Sequence, residues 1–262
     1  MRIAVVSKKD DQKARGIISG IKKYLEQEGH ELRDERKVKG SDYIVTLGGD
    51  GTLIHKACEY VELGIPIIGI NTGSLGFLTA VDAHDWRLAV DRVLAGKTFI
   101  SERISLDIKI GKDNFRAVNE AVVKGLYRVV ELRVGVREVE FLKVLGDGVI
   151  IASQTGSTAY SLSSGGPIVD PDLDCMLVTP INPIGLPIPS VMLSPDELVK
   201  IEIVRGDNVL LIVDGQEHRK VSTGDRIEIK RGKYRVKLGY LSDKQFLKAL
   251  NMKFGLGSRA IS

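Results

Sequence analysis

The sequence lacks the long apolar runs and the paired cysteines that mark membrane and secreted proteins. No stretch approaches the roughly 20 consecutive apolar residues that a transmembrane helix needs, and the apolar run at residues 3–6 is followed at once by charge. The only cysteines, Cys58 and Cys175, are far apart, which excludes a disulfide framework or a zinc site built from cysteines. We therefore expect a cytoplasmic protein with no membrane partner.

The chain also lacks a basic run and the two standard phosphate-binding fingerprints. Its net charge is +4 and its lysines and arginines are interspersed with acids, so we expect no nucleic-acid partner. Neither G-x-x-x-x-G-K-[ST] nor a G-x-G-x-x-G after the first strand occurs. The four histidines share no ligand spacing, and we assign no protein residue as a metal ligand. Phosphoryl transfer by this chain would not use a P-loop.

Residues 1–97 alternate between strand and helix patterns. Continuous apolar runs at residues 3–6, 43–47 and 65–70 predict buried strands, and apolar residues at helical spacing follow each of the first two. Strand–helix alternation with short links predicts an α/β domain, with a parallel sheet covered by helices.

The pattern changes near residue 97. Most of residues 98–240 form short apolar segments, several of period two, separated by turn signals such as those at 206–208 and 231–233. This pattern predicts a β-rich antiparallel domain. A helical pattern returns over residues 241–262.

A glycine-rich motif follows the second apolar run directly and opens a helix: Gly48-Gly49-Asp50-Gly51-Thr52. Ligands of open α/β sheets bind at the carboxyl ends of strands, where glycines let the backbone approach a phosphate and a helix start offers free N–H groups. The aspartate would repel phosphate, so it suits either a general base for a hydroxyl or a ligand of a phosphate-bound magnesium ion. The alternative is a tight turn with an aspartate cap.

Three further motifs place polar groups among apolar segments. Asn119 and Glu120 interrupt the strand pattern of residues 115–123; an amide could bind an adenine edge and a carboxylate ribose hydroxyls, or both could form an exposed strand end. Residues 153–167 combine hydroxyls and glycines that would offer donors to a pyrophosphate or a base, with a flexible linker as the alternative. Asp214-Gly215-Gln216, taken alone, predicts a hairpin turn.

Together these motifs resemble the NAD kinase family over essentially the whole chain. The motifs that carry the resemblance are Gly48-Gly49-Asp50-Gly51-Thr52, Asn71-Thr72-Gly73 with Gly76-Phe77-Leu78, Asn119-Glu120, Asp147-Gly148, Thr155-Gly156-Ser157-Thr158-Ala159-Tyr160 with Gly165-Gly166-Pro167, and Asp214-Gly215-Gln216. The resemblance implies an α/β domain, a β-rich NAD-binding domain, and a C-terminal helix that packs back on the first. It also implies transfer of a phosphoryl group from ATP or polyphosphate to the 2′-hydroxyl of the adenosine ribose of NAD, with Mg²⁺ or another divalent cation, by a homodimer or homotetramer.

The resemblance also assigns roles to individual residues. Asp50 becomes the base for the 2′-hydroxyl, and Phe77 would lie against the nucleotide. Asn119 and residues 158–160 would hold the adenine part, while Glu120 and Asp147 would hold the other ribose or the nicotinamide. The implied nucleotide-binding residues are Gly48, Gly49, Gly51, Thr52, Asn71, Phe77, Asn119, Glu120, Asp147, Thr155, Ser157, Thr158, Ala159, Tyr160, Ser163, Asp214 and Gln216.

One departure and two rival functions belong with this interpretation. Ala152-Ser153-Gln154 stands where many family members have Ser-Thr-Pro, so the rigidity of the proline is absent. A lipid kinase of the diacylglycerol or sphingosine type carries a similar glycine motif, but no obvious amphipathic helix for membrane docking is present. A non-catalytic NAD or NADP sensor would need no base, and the presence of Asp50 favours the enzyme.

Overall fold

The structure, a computed structural model, describes residues 1–8, 11–73 and 76–255. The chain divides into two compact units, one of Met1–Glu102 with Val236–Ser262 and the other of Arg103–Arg235. These limits fall close to the expected boundaries at residues 97 and 240. Residues 74 and 75, in the glycine-rich loop after the third apolar run, and residues 256–262, at the end of the expected C-terminal helix, lie outside the described residues. No helix within the described ranges is long and apolar enough to span a membrane.

The first unit contains a parallel sheet. Its elements up to residue 94 are β1 (Arg2–Ser7), α1 (Gln12–Gln27), β2 (Glu31–Arg33), β3 (Tyr43–Leu47), α2 (Asp50–Tyr60), β4 (Ile67–Asn71), β5 (Val81–Asp82) and α3 (Trp86–Leu94). Neighbouring strands pair in parallel in the order β2-β1-β3-β4, and β5 pairs in parallel with β4. Every residue of β3 and β4 is buried, as expected for strands covered on both faces. The carboxyl ends of β3 and β4 therefore meet at one edge of the sheet.

The elements after residue 98 are mostly strands. They are β6 (Phe99–Ile110), β7 (Asp113–Ala117), β8 (Glu120–Gly125), β9 (Val130–Val136), β10 (Val139–Gly146), β11 (Gly148–Ser153), α4 (Tyr160–Ser163), β12 (Met176–Ile181), β13 (Val191–Leu193), β14 (Val199–Arg205), β15 (Val209–Val213), β16 (Glu217–Val221), β17 (Arg226–Tyr240) and α5 (Gln245–Phe254). One sheet of the second unit has the order β13-β12-β11-β8-β15-β16, and its pairs are antiparallel. A second antiparallel group has the strand order β10-β9-β14-β17. Buried side chains from this group and from the six-stranded sheet form one core cluster. The predicted β-rich antiparallel domain is confirmed.

The last strand and helix return to the first unit. The end of β17 pairs in parallel with β4, Leu238 opposite Ile67. Helix α5 follows, and the Gln245 side-chain amide donates to the backbone carbonyls of Thr79 and Ala80, both at 3.4 Å. The expected packing of the C-terminal helix on the first domain is thus confirmed.

The turn predicted at residues 231–233 is wrong, because β17 continues through it as one strand. The glycine that suggested a turn instead allows a close approach to β6. A Cβ atom on Gly232 would lie 2.1 Å from Ser105 Oγ, which itself donates to the Tyr234 carbonyl at 2.7 Å. Gly232 therefore allows β17 to pack closely against Ser105 of β6 and does not reverse the chain.

Candidate active site

Asp50 stands where the sheet edge and a helix start coincide. Strand β3 ends at Leu47, two glycines follow, and α2 begins at Asp50 with Gly49 as its N-cap. The N-cap residue Gly49 has no side chain with which to cap this helix, so the first backbone N–H groups of α2 could bind an anion. Gly48 has φ 151°, and a Cβ there would lie 2.5 Å from Thr52 Oγ. Only glycine fits this junction without moving Thr52.

The Asp50 carboxylate is held by three consecutive backbone N–H groups. Oδ2 accepts from Phe77 at 2.6 Å, and Oδ1 accepts from Leu78 and Thr79, each at 3.1 Å. These bonds fix the plane of the carboxylate. Among the described residues Oδ2 accepts the N–H of Phe77 alone, so a second lone pair of this oxygen can accept a hydroxyl proton. The arrangement suits a positioned general base.

Gly76 makes this arrangement possible. A Cβ atom at residue 76 would lie 1.9 Å from Asp50 Oδ1 and 2.3 Å from Oδ2. Any side chain there would displace the carboxylate, because its two oxygens and Cγ are the atoms that the new Cβ would meet. The sequence motif included Gly76, but its requirement for this contact could not be predicted from the sequence.

The other predicted residues of the first unit surround this junction. Asn71, at the end of β4, is 1% exposed, and its Oδ1 accepts the N–H of Gly73 at 2.9 Å. Phe77 is half-buried, with its ring centroid 6.0 Å from that of Phe254 and Lys253 Nζ 5.2 Å above it. Helix α5 therefore supports the loop whose backbone holds Asp50.

In the second unit, Asp214 holds the Asn119-Glu120 motif. Asp214 begins the hairpin turn between β15 and β16 with φ 47°, so the turn predicted from the sequence is present. Its Oδ2 accepts the N–H of Val118 at 2.7 Å, and its Oδ1 accepts those of Asn119 at 2.8 Å and Glu120 at 3.0 Å. The single strand expected over residues 115–123 is wrong, because the chain breaks between β7 and β8 to present these three groups.

Glu120 is buried beside this aspartate. Burial, together with the charge of Asp214, raises the pKa of Glu120 to about 8, and the backbone N–H of Tyr160 acts in the opposite direction. Burial also raises the pKa of Asp214, against the effect of its backbone hydrogen bonds. Asn119 Oδ1 and Glu120 Oε2 are buried and find no hydrogen-bond partner among the residues that the structure describes. A buried polar atom without a partner needs an explanation, such as a catalytic role or a bound water or ion.

The Thr155–Tyr160 segment lies against the backbone of the Asn119-Glu120 motif. Its first residues form a 3₁₀ helix, Thr155–Thr158, and α4 follows. Ser153 joins the two segments: its N–H donates to the Asn119 carbonyl at 2.8 Å and its hydroxyl to the Val118 carbonyl at 2.6 Å. A Cβ on Gly156 would lie 2.2 Å from the Asn119 carbonyl oxygen, so glycine is needed for the contact. The structure thus brings residues 118–120 and 153–160 together.

The remaining predicted residues differ in what their side chains can reach. Ser157 is fully buried, donates to the Gln154 carbonyl at 2.7 Å and accepts from Val169 N–H at 3.2 Å, which gives its hydroxyl a structural role. Asp147 accepts from the Asn182 amide at 2.8 Å. Thr158, Ala159 and Tyr160 are partly exposed, whereas Ser163 and Gln216 are exposed.

Comparisons with known proteins agree with these motifs. Residues 3–98 match the family model described as the ATP-NAD kinase N-terminal domain, and residues 119–240 match the ATP-NAD kinase C-terminal domain. The chain belongs to the NAD kinase family. A relative named NAD kinase from Clostridium botulinum (strain 657 / Type Ba4) is 35% identical and covers 95% of each chain. Another from Fusobacterium nucleatum subsp. nucleatum is 34% identical and covers 98% of each.

A solved NAD kinase also shares the fold. The crystal structure of an NAD kinase from Archaeoglobus fulgidus in complex with ATP superposes with a TM-score of 0.82 at 25% identity, covering 98% of this chain and 100% of the other. The expected fold class, an α/β domain followed by a β-rich antiparallel domain, is confirmed by this likeness. Lipid kinases, the rival from the same reaction class, are not favoured by any of these matches.

The fit of a divalent cation was tested on the residues that are present. Over the described ranges, no group of three or more His, Cys, Asp or Glu side chains could hold an ion. Magnesium in phosphoryl-transfer sites is usually held by one or two carboxylates together with substrate phosphates. In this member of the NAD kinase family the Asp50 carboxylate could contribute one oxygen to such an ion, and a nucleotide would have to supply others.

Proposed function

We propose that this protein phosphorylates the 2′-hydroxyl of the adenosine ribose of NAD to give NADP, with ATP or polyphosphate as donor. The observation that carries the proposal is the Asp50 carboxylate, fixed by three backbone N–H groups and left with one accepting position on Oδ2. Membership of the NAD kinase family supports the substrate, and the relative solved in complex with ATP supports that donor.

In the proposed reaction, Asp50 removes a proton and the rest of the site positions the reactants. As the 2′-oxygen bonds to the terminal phosphorus of the donor, Oδ2 accepts the hydroxyl proton, and the bond between that phosphorus and its bridging oxygen breaks. The products are NADP and the shortened donor. Such a transfer depends on positioning and on charge stabilisation more than on covalent chemistry. The free N–H groups at the start of α2 would bind developing charge on the phosphoryl oxygens.

Nucleotide binding is divided among the predicted residues according to what each can reach. Phe77 would lie against the nucleotide, and Asn119 with residues 158–160 would bind the adenine part. Glu120 and Asp147 would bind the other ribose or the nicotinamide end. We propose that Asp214 and Ser157 act by holding these groups in place, because their oxygens are engaged with the protein backbone.

Several properties stay predictions. Magnesium, or another divalent cation, would arrive with the donor phosphates and lower their charge, and the Asp50 carboxylate could be one of its ligands. The cytoplasmic location is an expectation from the sequence, and the homodimer or homotetramer is what the resemblance implies.

The test is NADP formation by the purified protein with NAD and magnesium, measured in parallel with ATP, with polyphosphate and with no donor. We expect NADP in at least one donor reaction and none in the third. If no donor gives NADP while calorimetry shows that NAD binds, the protein is a sensor. If NAD does not bind either, the proposal fails altogether.

A further inference from the structure

Gln154 is a buried amide at the start of the Thr155–Thr158 turn. Its side chain is 1% exposed, and its backbone angles are φ −56° and ψ −33°. Its carbonyl accepts the Ser157 hydroxyl, which ties the residue into the turn. A buried amide at this position needs hydrogen-bond partners for both its nitrogen and its oxygen.

The orientation of the amide follows from its neighbours. Gln154 Nε2 lies 3.0 Å from Asp174 Oδ1. Arg235 clamps the same carboxylate with two bonds, at 2.6 Å to Oδ2 and 2.9 Å to Oδ1. The hydrogen bond from the Arg235 side chain is the largest of the effects that lower the pKa of Asp174. The carboxylate therefore stays ionised and can only accept hydrogen bonds. The amide nitrogen must therefore face Asp174, and the oxygen must point away from it.

The amide oxygen that results has no donor. Gln154 Oε1 is buried and has no hydrogen-bond partner within the part of the chain that the structure describes, and the same holds for Thr155 Oγ in the next residue. Leaving a buried acceptor unpaired costs free energy comparable to a lost hydrogen bond. Asn119 Oδ1 and Glu120 Oε2, unpartnered as well, belong to the segment that Ser153 and Gly156 fasten to this turn. Four unsatisfied groups thus lie on two touching segments.

We propose that Gln154 is a specificity-determining residue whose Oε1 accepts a hydrogen bond from a primary amine or amide of the bound dinucleotide, with Asp174 and Arg235 as positioning residues. The proposal rests on the proposed phosphorylation of NAD. The dinucleotide offers two groups of this chemistry, the amino group of adenine and the carboxamide of nicotinamide. A site that pairs a buried acceptor with a substrate N–H rejects analogues that lack it.

The decisive experiment compares three substrates. They are NAD, an analogue with hypoxanthine in place of adenine, and an analogue with nicotinic acid in place of nicotinamide. The wild type should prefer NAD to one of the analogues. In Gln154→Met, which keeps the volume but loses the acceptor, kcat/KM for NAD should fall about tenfold, the size of one hydrogen bond. For the analogue that lacks the donor it should hardly change, and that analogue identifies the recognised end.

If Asp174 positions the Gln154 amide, Asp174→Asn should weaken the discrimination between substrates as Gln154→Met does. This variant weakens the Arg235 clamp and lets the Gln154 amide turn over, so discrimination between the same two substrates should fall by a smaller factor. The matched control is Asp172→Asn, an exposed acid two residues away, which should leave discrimination unchanged. In the double variant Gln154→Met with Asp174→Asn, discrimination should equal that of Gln154→Met alone.

The outcomes separate this proposal from the proposed function. If the wild type forms NADP but Gln154→Met lowers kcat/KM equally for all three substrates, or for none, the specificity role is overturned while the kinase stands. If Gln154→Met does not fold, Gln154→Pro replaces it, since φ −56° suits proline. A wild type that forms no NADP with any donor overturns both.

Discussion

Two aspartates, one in each unit, bind the backbone in the same way but serve different ends. In both, Oδ2 accepts one N–H and Oδ1 accepts the next two along the chain: residues 77–79 for Asp50, and residues 118–120 for Asp214. Asp50 lies at the start of a helix, after two glycines, where a substrate oxygen can approach. Asp214 lies in a tight turn beside a second buried carboxyl, that of Glu120.

The difference shows that hydrogen-bond geometry alone does not define a catalytic group. The same three N–H bonds fix the orientation of Asp50, the proposed base, and make Asp214 a support for the Asn119-Glu120 segment. What distinguishes them is the surroundings: helix start and glycines for one, and burial with a neighbouring carboxyl for the other. Four changes, in order of decreasing expected effect, would break or sharpen this comparison.

Removal of the Asp214 carboxylate should have the largest effect. In Asp214→Ala three backbone N–H groups lose their acceptor, and a positive φ is imposed on alanine, so the free energy of unfolding should fall by on the order of 4 kcal/mol. Asp214→Asn, which tolerates this φ and keeps one accepting oxygen, should recover about half of the loss. Urea denaturation measures both. Asp207→Ala, at an exposed acid in the turn before β15, is the control and should change little; equal losses in Asp207→Ala and Asp214→Ala would refute the role of the backbone bonds.

The pH dependence of stability should reveal the buried carboxyl beside Asp214. The pKa of Glu120 is raised from 4.5 to about 8, so the folded protein holds this proton more tightly than the unfolded chain. Its contribution to stability is complete below about pH 4.5 and is lost as the pH rises to about 8. Glu120→Gln cannot ionise, and at pH 9 it should be more stable than the wild type by on the order of 3 kcal/mol. At pH 4.5 the two proteins should be nearly alike, and a difference independent of pH would contradict this account.

Displacement of the Asp50 carboxylate should lower turnover without removing any functional group. In Gly76→Ala the new Cβ would occupy the position of Asp50 Oδ1, so the carboxylate must move. A shift of about 1 Å at a reacting group can cost about 10²-fold in rate, and we expect that fall in kcat. Gly73→Ala, whose Cβ would lie 3.7 Å from the nearest atom outside its neighbours, is the control. If both variants keep wild-type kcat, the fixed position of Asp50 is unimportant.

Support of the same loop by helix α5 should contribute least. Phe254→Leu removes the ring that lies beside Phe77, and an aromatic pair adds about 0.5–1.5 kcal/mol beyond burial. We expect a loss of about 1 kcal/mol in unfolding free energy and less than a tenfold change in kcat. Leu247→Ala, on the same helix and largely exposed, serves as the control for helix stability. A loss in Phe254→Leu no greater than in the control would show that the ring contact does not support the loop.

The sequence predicted what local patterns determine. Continuous apolar runs gave the buried strands β1, β3 and β4, and the glycines after β3 marked a functional loop, because a strand, a sharp turn and a helix start leave a signature within ten residues or so. The family resemblance then supplied the site residues, since their motifs are specific even where their local patterns are not.

What the sequence could not predict depends on contacts between distant residues. Asp214 binds groups 94 to 96 residues earlier, so the sequence indicated only its turn. Gly232 was taken for a turn because the need for contact with Ser105 leaves no local pattern. The link from Gln154 through Asp174 to Arg235 spans more than 80 residues, and no spacing within a segment indicates it. Such contacts exist only once the chain has folded.

The most direct test of the central claim is Asp50→Asn, assayed for NADP formation and, by calorimetry, for NAD binding. The amide keeps the size of the side chain but cannot take up a proton. We predict that kcat falls by about 10³-fold or more, in the range expected for loss of a general base, while the dissociation constant for NAD stays within a few-fold of the wild type. A variant that retains kcat within tenfold, with NAD binding unchanged, would contradict the assignment of Asp50 as the base.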